Sequence, residues 1–580
     1  MMCGAFRRMI SDRAAVLLVW ALCACSPAHT WAAAPAPFVP GEILVKFKPG
    51  IATGKQTAFV QSARLQPVRQ FAAIGVQCYR LPAGEDVAAA IRACQADPSV
   101  EFAEPNYIYT ASRLPNDPRF GELWGLDADA DTDIDAPEAW DRQTGDSRVL
   151  VAIIDTGVDY THEDLAGNMW RNPGETGSGR ETNGQDDDHN GFVDDVVGWD
   201  FAGNDNDPKD DNGHGSHVAG TIAAVGNNGK GVVGVNWRAS IMALKFLSAN
   251  GSGSASDAIN AILYAANNGA RVLNNSWGGG GFSQALSDAI DFARQKDAVF
   301  VAAAGNEGTD NDRNPSYPAS YDLSNVLSVA AVDRAGALAT FSNFGRTSVD
   351  LAAPGVDILS SVPGNGYRSL SGTSMATPHA SGVAALVLAQ NPKASAREVL
   401  VRIAGGVRPV PALENATWSG GRLDAADALS DAPKVAFVTR LADTMVPKPG
   451  GVDAEAVDDS AIASATLHFA AGSGAAQTLP MQPVGSGVFH GEIPAQTAGA
   501  TVAYFVEVMD VTGNAARSRS YSFKTGSAAG APGCGGLATQ LERSRDRVLA
   551  GLGNALLLLC GLAAARRWKR ARHAPVPYRR

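Results

Sequence analysis

Three short segments, far apart along the chain, place an acid, a base and a nucleophile among small residues. Asp155 ends the apolar run VLVAIID, so we expect its carboxylate at the C-terminal edge of a buried strand, where open α/β sheets carry their ligands. His214 lies in DDNGHGSHVAG, and Ser374 lies in SGTSMATPH, directly before an apolar helical run. These three groups suit nucleophilic acyl transfer, because a serine hydroxyl attacks efficiently only when an adjacent base takes its proton.

Each segment taken alone has an ordinary explanation. Asp-Thr-Gly also occurs in aspartic proteases, which need two such carboxylates, and a glycine-flanked histidine is commonly a turn residue. The segment around Ser374 resembles the nucleophile elbow of α/β-hydrolases, but Ala376 replaces its last glycine and the acid and base precede the serine. A capped helix without any catalytic role also fits the Ser374 segment.

In this order, the three segments resemble the motifs of subtilisin-like serine proteases (subtilases), and the likeness spans about residues 115–430. The resemblance implies that Ser374 is the nucleophile, that His214 takes its proton and that Asp155 orients the imidazole. Asn306 in AAAGNEG matches the family's side-chain donor to the oxyanion, beside the backbone N–H of Ser374.

The same resemblance predicts where a peptide substrate binds. Two segments, SWGGG (276–280) and AAAG (302–305), match the strands that pair with extended peptide; the expected contact residues are Ser276, Trp277, Gly278, Ala303 and Gly305. Ser316 falls at the base of the primary specificity pocket, where a small residue leaves room for a large apolar or aromatic side chain. No acid that would select arginine or lysine is evident, so we expect broad specificity.

The sequence also predicts a calcium site. Asp117 in PNDPRF, Asp164 in THEDL and the loop VGNNGKGV resemble the strong calcium site of thermitase-like subtilases. Hard oxygen ligands of this kind suit Ca²⁺. The resemblance implies six ligand residues: Asp117, Asp164 and Asn228 through their side chains, and Val225, Lys230 and Val232 through their carbonyl oxygens.

A second acidic stretch, NGQDDDHNGFVDDVVGWDFAGNDNDPKDD, is ambiguous. Asp186, Asp188 and Asn190 have the spacing of an EF-hand loop, but Val197 occupies the twelfth position, where that loop has glutamate. Further along, a weaker thermitase site is matched in part, by Asp200, Asp205 and Asp207 but not by Gly203 and Lys209. The stretch is either a second cation site or a solvated acidic turn.

Hydropathy patterns divide the chain into further segments. Between residues 114 and 430, strand-like runs alternate with helical ones, which predicts an α/β fold with a doubly wound parallel sheet. Residues 35–113 have a small α+β pattern that resembles a subtilase propeptide, which implies an intramolecular inhibitor. Residues 431–525 show short alternating runs separated by turns, which predicts an antiparallel β-sandwich of fibronectin or immunoglobulin type.

The two ends of the chain predict export and membrane contact. Residues 1–34 have the basic and apolar regions of a signal peptide, although Cys25 is also a loose match to a lipoprotein acceptor. Residues 526–580 contain a linker, the apolar run VLAGLGNALLLLCGLAAA and a basic tail. This pattern fits a single C-terminal membrane helix, either a permanent anchor or a removable sorting signal, with a buried core helix as the alternative.

Net charge and cysteine content exclude some classes of function. The net charge of −11 argues against a nucleic-acid partner, and residues 95–533 contain no cysteine, so extracellular stability must come from packing or metal ions. Together these features predict a secreted or cell-surface serine endopeptidase, stabilised by Ca²⁺ and made as a zymogen, that acts on polypeptides. The alternatives are an inactive surface adhesin on a protease scaffold and an esterase that uses the same serine.

Overall fold

The computed structural model describes residues 38–82, 84–108, 114–444, 446 and 448–526. The chain forms two compact units that divide between residues 111 and 112. The predicted signal peptide, C-terminal linker, apolar helix and basic tail lie outside the described residues. Among the residues that are described, none of the helices has the length and apolar character needed to cross a bilayer.

The first unit is an antiparallel sheet with two helices. Its elements are β1 (Phe38–Phe47), α1 (Thr53–Ser62), β2 (Gln66–Phe71), β3 (Val76–Arg80), α2 (Val87–Ala96) and β4 (Val100–Tyr107), with sheet order β2-β3-β1-β4. Ile43, Tyr79 and Cys94 share one buried core with side chains of α1. The Asp86 side chain caps α2 by accepting from the N–H of Ala89 at 2.6 Å. The unit therefore has the predicted α+β character.

The second unit begins with a nine-stranded sheet. Its first elements are α3 (Ala136–Trp140), β5 (Leu150–Asp155), β6 (Gly198–Asp200), α4 (His214–Ala223), β7 (Ser240–Lys245), α5 (Ala255–Asn267), β8 (Val272–Asn275), α6 (Gln284–Gln295), β9 (Val299–Ala303), β10 (Val326–Val332) and β11 (Leu351–Pro354). The hairpin β12 (Ile358–Val362) and β13 (Gly366–Leu370) follows, then α7 (Thr373–Gln390), α8 (Ala396–Gly405), β14 (Arg408–Pro409), β15 (Gly421–Arg422) and α9 (Ala425–Ala428).

The order of this sheet is β14-β15-β11-β10-β9-β8-β5-β7-β6, and every pair except β14–β15 is parallel. Helices cover both faces, so the strands are continuous apolar runs. In β5, Val151 and Ile153 enter the core shared with α4 and α7, whereas Ala152 and Ile154 enter the core shared with α5 and α6. This layering confirms the predicted doubly wound α/β fold.

Two antiparallel sheets follow at the C-terminal side. They contain β16 (Lys434–Ala436), β17 (Gly450–Val457), β18 (Ile462–Ala471), β19 (Gln477–Pro480), β20 (Gln482–Gly485), β21 (Val488–Ile493), β22 (Thr501–Asp510), β23 (Ala515–Arg517) and β24 (Tyr521–Lys524). One sheet has the order β16-β17-β21-β20, and the other has β19-β18-β22-β23 with β24 also paired to β22. Val452 of the first sheet and Leu467 and Val506 of the second share one core, as the predicted sandwich requires.

Candidate active site

The strand β5 and the helix α4 bring Asp155 and His214 into direct contact. Asp155 is the last residue of β5 and is 0% exposed, and its Oδ1 lies 2.7 Å from Nδ1 of His214. His214 is the first residue of α4. Glycine is required on each side of His214. Gly213 has φ +101°, which favours glycine, and a Cβ at Gly215 would lie 2.0 Å from the carbonyl oxygen of Gly157.

Asp210 fixes the turn that leads into α4. Its Oδ1 accepts from the N–H groups of Asn212 and Gly213, at 3.0 and 2.8 Å, and its Oδ2 accepts from the N–H of Ser216 at 2.8 Å. The hydroxyl of Thr156 donates to the same carboxylate at 2.9 Å. Asp210 therefore positions His214, and the sequence analysis missed it.

The environment of His214 favours its charged form. Burial alone lowers the pKa of His214, but the charge and hydrogen bond of Asp155, with the charge of Asp210, outweigh it and raise the pKa above 6.5. Because a carboxylate only accepts hydrogen bonds, Nδ1 carries the proton and Nε2 is the basic nitrogen. His217, in the same helix, is different: burial lowers its pKa to about 4.

Ser374 lies in the first turn of α7, which packs against α4. Its hydroxyl is half-buried and donates to the carbonyl oxygen of Ser276 at 2.8 Å, and the Ser276 hydroxyl donates to the carbonyl oxygen of Ser374 at 3.0 Å. Within the described residues, Ser374 makes no hydrogen bond to His214. The structure thus joins Ser374 to Ser276 and joins His214 to Asp155.

Asn306 lies just after β9 and faces the start of α7. Its Oδ1 accepts from the N–H of Thr373 at 2.8 Å and from the Thr373 hydroxyl at 2.9 Å. A Cβ at Gly372 would lie 3.6 Å from the Ser374 nitrogen and 3.7 Å from Nδ2 of Asn306, so both N–H donors border one small space. Donors converging at a helix N-terminus are suited to hold an oxyanion.

The residues predicted to bind substrate gather at the ends of two neighbouring strands. Ser276, Trp277 and Gly278 follow β8, Ala303 ends β9, and Gly305 follows with φ +114°. A Cβ at Gly278 would lie 3.2 Å from the carbonyl oxygen of Tyr317 and 3.8 Å from Oγ of Ser316. The structure therefore brings Ser316 beside the segment that starts at Ser276.

The first predicted calcium site is assembled around two buried carboxylates. Asp164 is 0% exposed and accepts from the N–H of Val232 at 2.9 Å and from the Tyr367 hydroxyl at 2.7 Å. Asp117 accepts from the N–H of Asn227 at 2.7 Å, and burial, with the charge of Asp164, raises the pKa of Asp117. Tyr367 is a further residue that the sequence analysis missed.

The remaining residues of this site fit a cation with one adjustment. Among the described residues, the carbonyl oxygens of Val225, Lys230 and Val232 accept no hydrogen bond, so all three are available as ligands. Nδ2 of Asn228 faces Asp164 at 2.9 Å, while its Oδ1 accepts from the N–H of Lys230 at 2.8 Å. A bound cation requires the Asn228 amide to turn its oxygen toward Asp164. Otherwise the donor set is all oxygen, as Ca²⁺ prefers.

The second acidic stretch separates into two parts. In the part with EF-hand spacing, Asp186 closes a turn by accepting from the N–H groups of Asn190 and Gly191, at 3.0 and 2.8 Å. In the other part, Asp200 and Asp205 pair through a β-bridge, whereas Asp207 accepts from the Tyr160 hydroxyl at 2.7 Å. A Cβ at Gly203 would lie 2.9 Å from Oδ2 of Asp200 and 3.2 Å from Oδ2 of Asp205, so these two carboxylates lie close together.

These contacts suit a serine hydrolase, because a buried carboxylate orients the imidazole and two N–H donors border the serine at a helix N-terminus. The subtilase family matches residues 146–412, and the fervidolysin N-terminal prodomain matches residues 26–106.

The chain covers most of the length of two relatives and half of a third. The thermophilic serine proteinase of a Bacillus species (strain AK1) is 40% identical over 353 residues, which are 61% of this chain and 79% of that protein. Thermitase of Thermoactinomyces vulgaris is 42% identical over 282 residues, 48% of this chain and 88% of that protein. The halolysin-like extracellular serine protease Nep of Natrialba magadii is 35% identical over 303 residues, 52% of this chain and 50% of that protein.

A solved protease structure from Pseudoalteromonas arctica is 32% identical, covers 55% of this chain and 99% of that chain, and has a TM-score of 0.46. Two of these relatives are at least 40% identical to this chain, which covers more than two thirds of each of them, and this likeness assigns the family. The chain belongs to the subtilases and is a serine endopeptidase with an N-terminal prodomain.

Proposed function

We propose that this chain is a secreted, calcium-stabilised endopeptidase of broad specificity, made as a zymogen, in which Ser374, His214 and Asp155 form the catalytic triad. The observation that carries the proposal is the 2.7 Å contact between Nδ1 of His214 and the fully buried Asp155. This contact fixes the tautomer in which Nε2 is free to act as a base.

The reaction begins when Oγ of Ser374 attacks the carbonyl carbon of the scissile peptide bond. Its proton passes to Nε2 of His214, while Asp155 remains ionised and stabilises the imidazolium. The hydroxyl must therefore exchange its hydrogen bond from the Ser276 carbonyl to His214 when substrate binds. Catalytic hydrogen bonds commonly tighten only in the substrate complex.

The tetrahedral oxyanion accepts hydrogen bonds from Nδ2 of Asn306 and from the N–H of Ser374. When it collapses, the C–N bond breaks, His214 returns its proton to the leaving amine, and an acyl ester remains on Ser374. Water then repeats the sequence: His214 takes its proton, the hydroxide adds to the ester, and Ser374 leaves with the proton returned to Oγ.

Further features support substrate binding, regulation and stability. The ends of β8 and β9, including Trp277 and Ala303, offer backbone for an extended peptide, and the small Ser316 leaves space for a bulky apolar side chain. The prodomain match over 26–106 supports an intramolecular inhibitor. Ca²⁺ held by Asp117, Asp164, Asn228 and the three carbonyls would offset the repulsion between two buried carboxylates.

Secretion is supported by the signal-like residues 1–34 and by the relative whose name describes an extracellular protease. The C-terminal apolar run remains a sequence-based proposal for a membrane anchor or sorting signal.

The test is casein hydrolysis by purified protein after removal of the prodomain, with Ser374→Ala as the matched control. We expect robust cleavage by the parent chain and at least about 10³-fold less by Ser374→Ala, since loss of a triad member leaves only oxyanion stabilisation and binding. Equal inertness of both preparations would instead support the adhesin alternative. Hydrolysis of simple esters without casein cleavage would support the esterase.

A further inference from the structure

A cluster of three carboxylates lies in the loop between β5 and β6, and one of its members, Asp188, belongs to the stretch with EF-hand spacing. One oxygen from each of Glu175, Asp188 and Asp195 lies within 4.8 Å of the others. Glu175 and Asp195 are each 0% exposed, whereas Asp188 is exposed and leaves a path from solvent. Glu175 and Asp195 lie at opposite ends of a long stretch of this loop, so the fold of the loop brings their carboxylates together.

Glu175 is the member that points to a ligand. Its Oε1 accepts from the N–H groups of Asp187 and Asp188, at 2.7 and 3.3 Å. Its Oε2 is buried and has no hydrogen-bond partner. A buried carboxylate oxygen without a hydrogen-bond partner is strongly unfavourable, so a ligand is expected beside it.

Among the described residues, the three carboxylates have no cationic partner, and Arg180 of the same loop donates instead to the carbonyl oxygens of Pro173 and Thr176. Across the part of the chain that the structure describes, no lysine, arginine or histidine forms an ion pair with Glu175, Asp188 or Asp195. The neighbouring donors are neutral: Asn172 donates to Asp195 at 2.7 Å, Asn190 donates to it at 2.9 Å, and the Tyr264 hydroxyl also donates to it. Neutral donors reduce the repulsion among three carboxylates but leave their charge uncompensated.

We propose that Glu175, Asp188 and Asp195 bind a divalent cation, and that Ca²⁺ is the ion. Carboxylate oxygens are hard ligands, and Ca²⁺ accepts six to eight of them in flexible geometry, with water completing the shell on the exposed side. Asp186 and Asn190, which suggested an EF-hand loop by spacing, shape the turn that presents Asp188.

The alternative position at Asp200 differs in one respect that favours this choice. The buried Lys245 is near enough to Asp200 for its charge to favour the ionised form of Asp200, although its ion pair is with Asp211 at 2.7 Å. Among the described residues, no lysine or arginine forms an ion pair with the three carboxylates of the new site. A bound ion would also tie the loop to α5, because Tyr264 of that helix donates to Asp195 and packs its ring against Phe192 at 5.0 Å.

The experiment counts bound Ca²⁺ by equilibrium dialysis of the full chain carrying Ser374→Ala, after removal of metals. This background prevents self-cleavage, so the result does not depend on the proposed proteolysis. We expect Glu175→Gln and Asp195→Asn each to bind one fewer Ca²⁺ per chain than the parent. Asp187→Asn is the matched control: Asp187 belongs to the same loop but accepts from Asn183 at 2.7 Å and lies outside the cluster, so its count should not change.

Equal counts for the parent, Glu175→Gln and Asp195→Asn would overturn the proposal. Because both residues are buried, Asp188→Asn provides a variant at an exposed member of the cluster, and we expect at least a tenfold weaker Kd for one ion. An unchanged set of Kd values in Asp188→Asn would also contradict the site.

A second measurement separates this site from the one at Asp164. In chains carrying Asp164→Asn, bound Tb³⁺ should still emit when tyrosine and tryptophan are excited, because Tyr264 contacts a ligand residue. Adding Asp195→Asn should abolish most of that emission. Emission that is equal with and without Asp195→Asn would show that no ion sits here.

Discussion

Asn306 uses the two ends of one side chain for different purposes. Its oxygen holds the start of α7 through the N–H and hydroxyl of Thr373, at 2.8 and 2.9 Å. Its Nδ2 remains available for substrate. The contact with Thr373 also explains how an exposed loop side chain is held in place before any substrate arrives, which is the preorganisation that electrostatic stabilisation requires.

Replacement of Asn306 can therefore separate its two roles. Asn306→Asp keeps an acceptor for Thr373 but removes the N–H donor, whereas Asn306→Ala removes both. We expect kcat to fall about 10²–10³-fold in both variants with little change in KM, the range for loss of one oxyanion donor in a subtilisin. Steady-state kinetics on a peptide amide measures this. Thermal unfolding should show a lower Tm in Asn306→Ala only; a kcat within threefold of the parent would exclude the donor role.

The pKa of His214 gives a second test for a single residue. Asp155 raises that pKa, so Asp155→Asn should lower it, and the midpoint of imidazole titration should move to lower pH. NMR titration of His214 in the Ser374→Ala chain measures the midpoint directly. In the active enzyme the base must be neutral, so kcat/KM of the parent should rise with pH through a midpoint above 6.5.

The control for this titration is Asp211→Asn. Asp211 lies next to Asp210 but pairs with Lys245 at 2.7 Å, so its charge is compensated and the His214 midpoint should stay in place. A midpoint below 6.5 in the parent, or equal midpoints in the parent and Asp155→Asn, would show that the carboxylate does not control the imidazole.

Among the elements, the long buried strands were predictable because burial on both faces produces continuous apolar runs such as that of β5. The motifs around Asp155, His214 and Ser374 were also predictable, because the small residues beside them are required sterically and therefore appear in the sequence as recognisable patterns. Asp210 was not, because it lies among several acidic residues and only the fold shows which one faces the turn. The strands β14 and β15, of two residues each, are too short to show a pattern.

The loop at Asp164 allows a test of calcium binding through its effect on thermal stability. Ca²⁺ that binds only the folded state at 100 times its Kd adds about 2.7 kcal/mol to the free energy of unfolding. EDTA should therefore lower the Tm of the Ser374→Ala chain, and Asp164→Asn should remove a part of that difference. Glu163→Gln, a change at the adjacent exposed carboxylate that pairs with Lys230 at 3.6 Å, should preserve it. Identical Tm values with Ca²⁺ and with EDTA would contradict both proposed calcium sites.

At the scale of the whole molecule, the second unit joins its α/β sheet to the two C-terminal sheets by packed, paired contacts. Arg397 of α8 makes two hydrogen bonds of 2.6 Å to Glu455 of β17, and its guanidinium lies 3.8 Å from the ring centroid of Phe437. Trp418 packs against Phe437 at 5.0 Å. Arg440 donates to the Trp418 carbonyl and lies 5.7 Å from its ring centroid.

This contact surface predicts how the second unit unfolds. Because Trp418 is buried between the two parts, we expect them to unfold together in a single calorimetric transition. Trp418→Ala removes the ring that both parts share, so it should lower the free energy of unfolding by about 3–5 kcal/mol and separate the transition into two.

Phe469→Ala is the matched control, since Phe469 is buried inside the C-terminal core alone. It should destabilise those two sheets first, without weakening the contact to Trp418. Calorimetry of the Ser374→Ala chain distinguishes the cases, and two transitions in the parent chain would mean that the C-terminal sheets fold independently of the catalytic part.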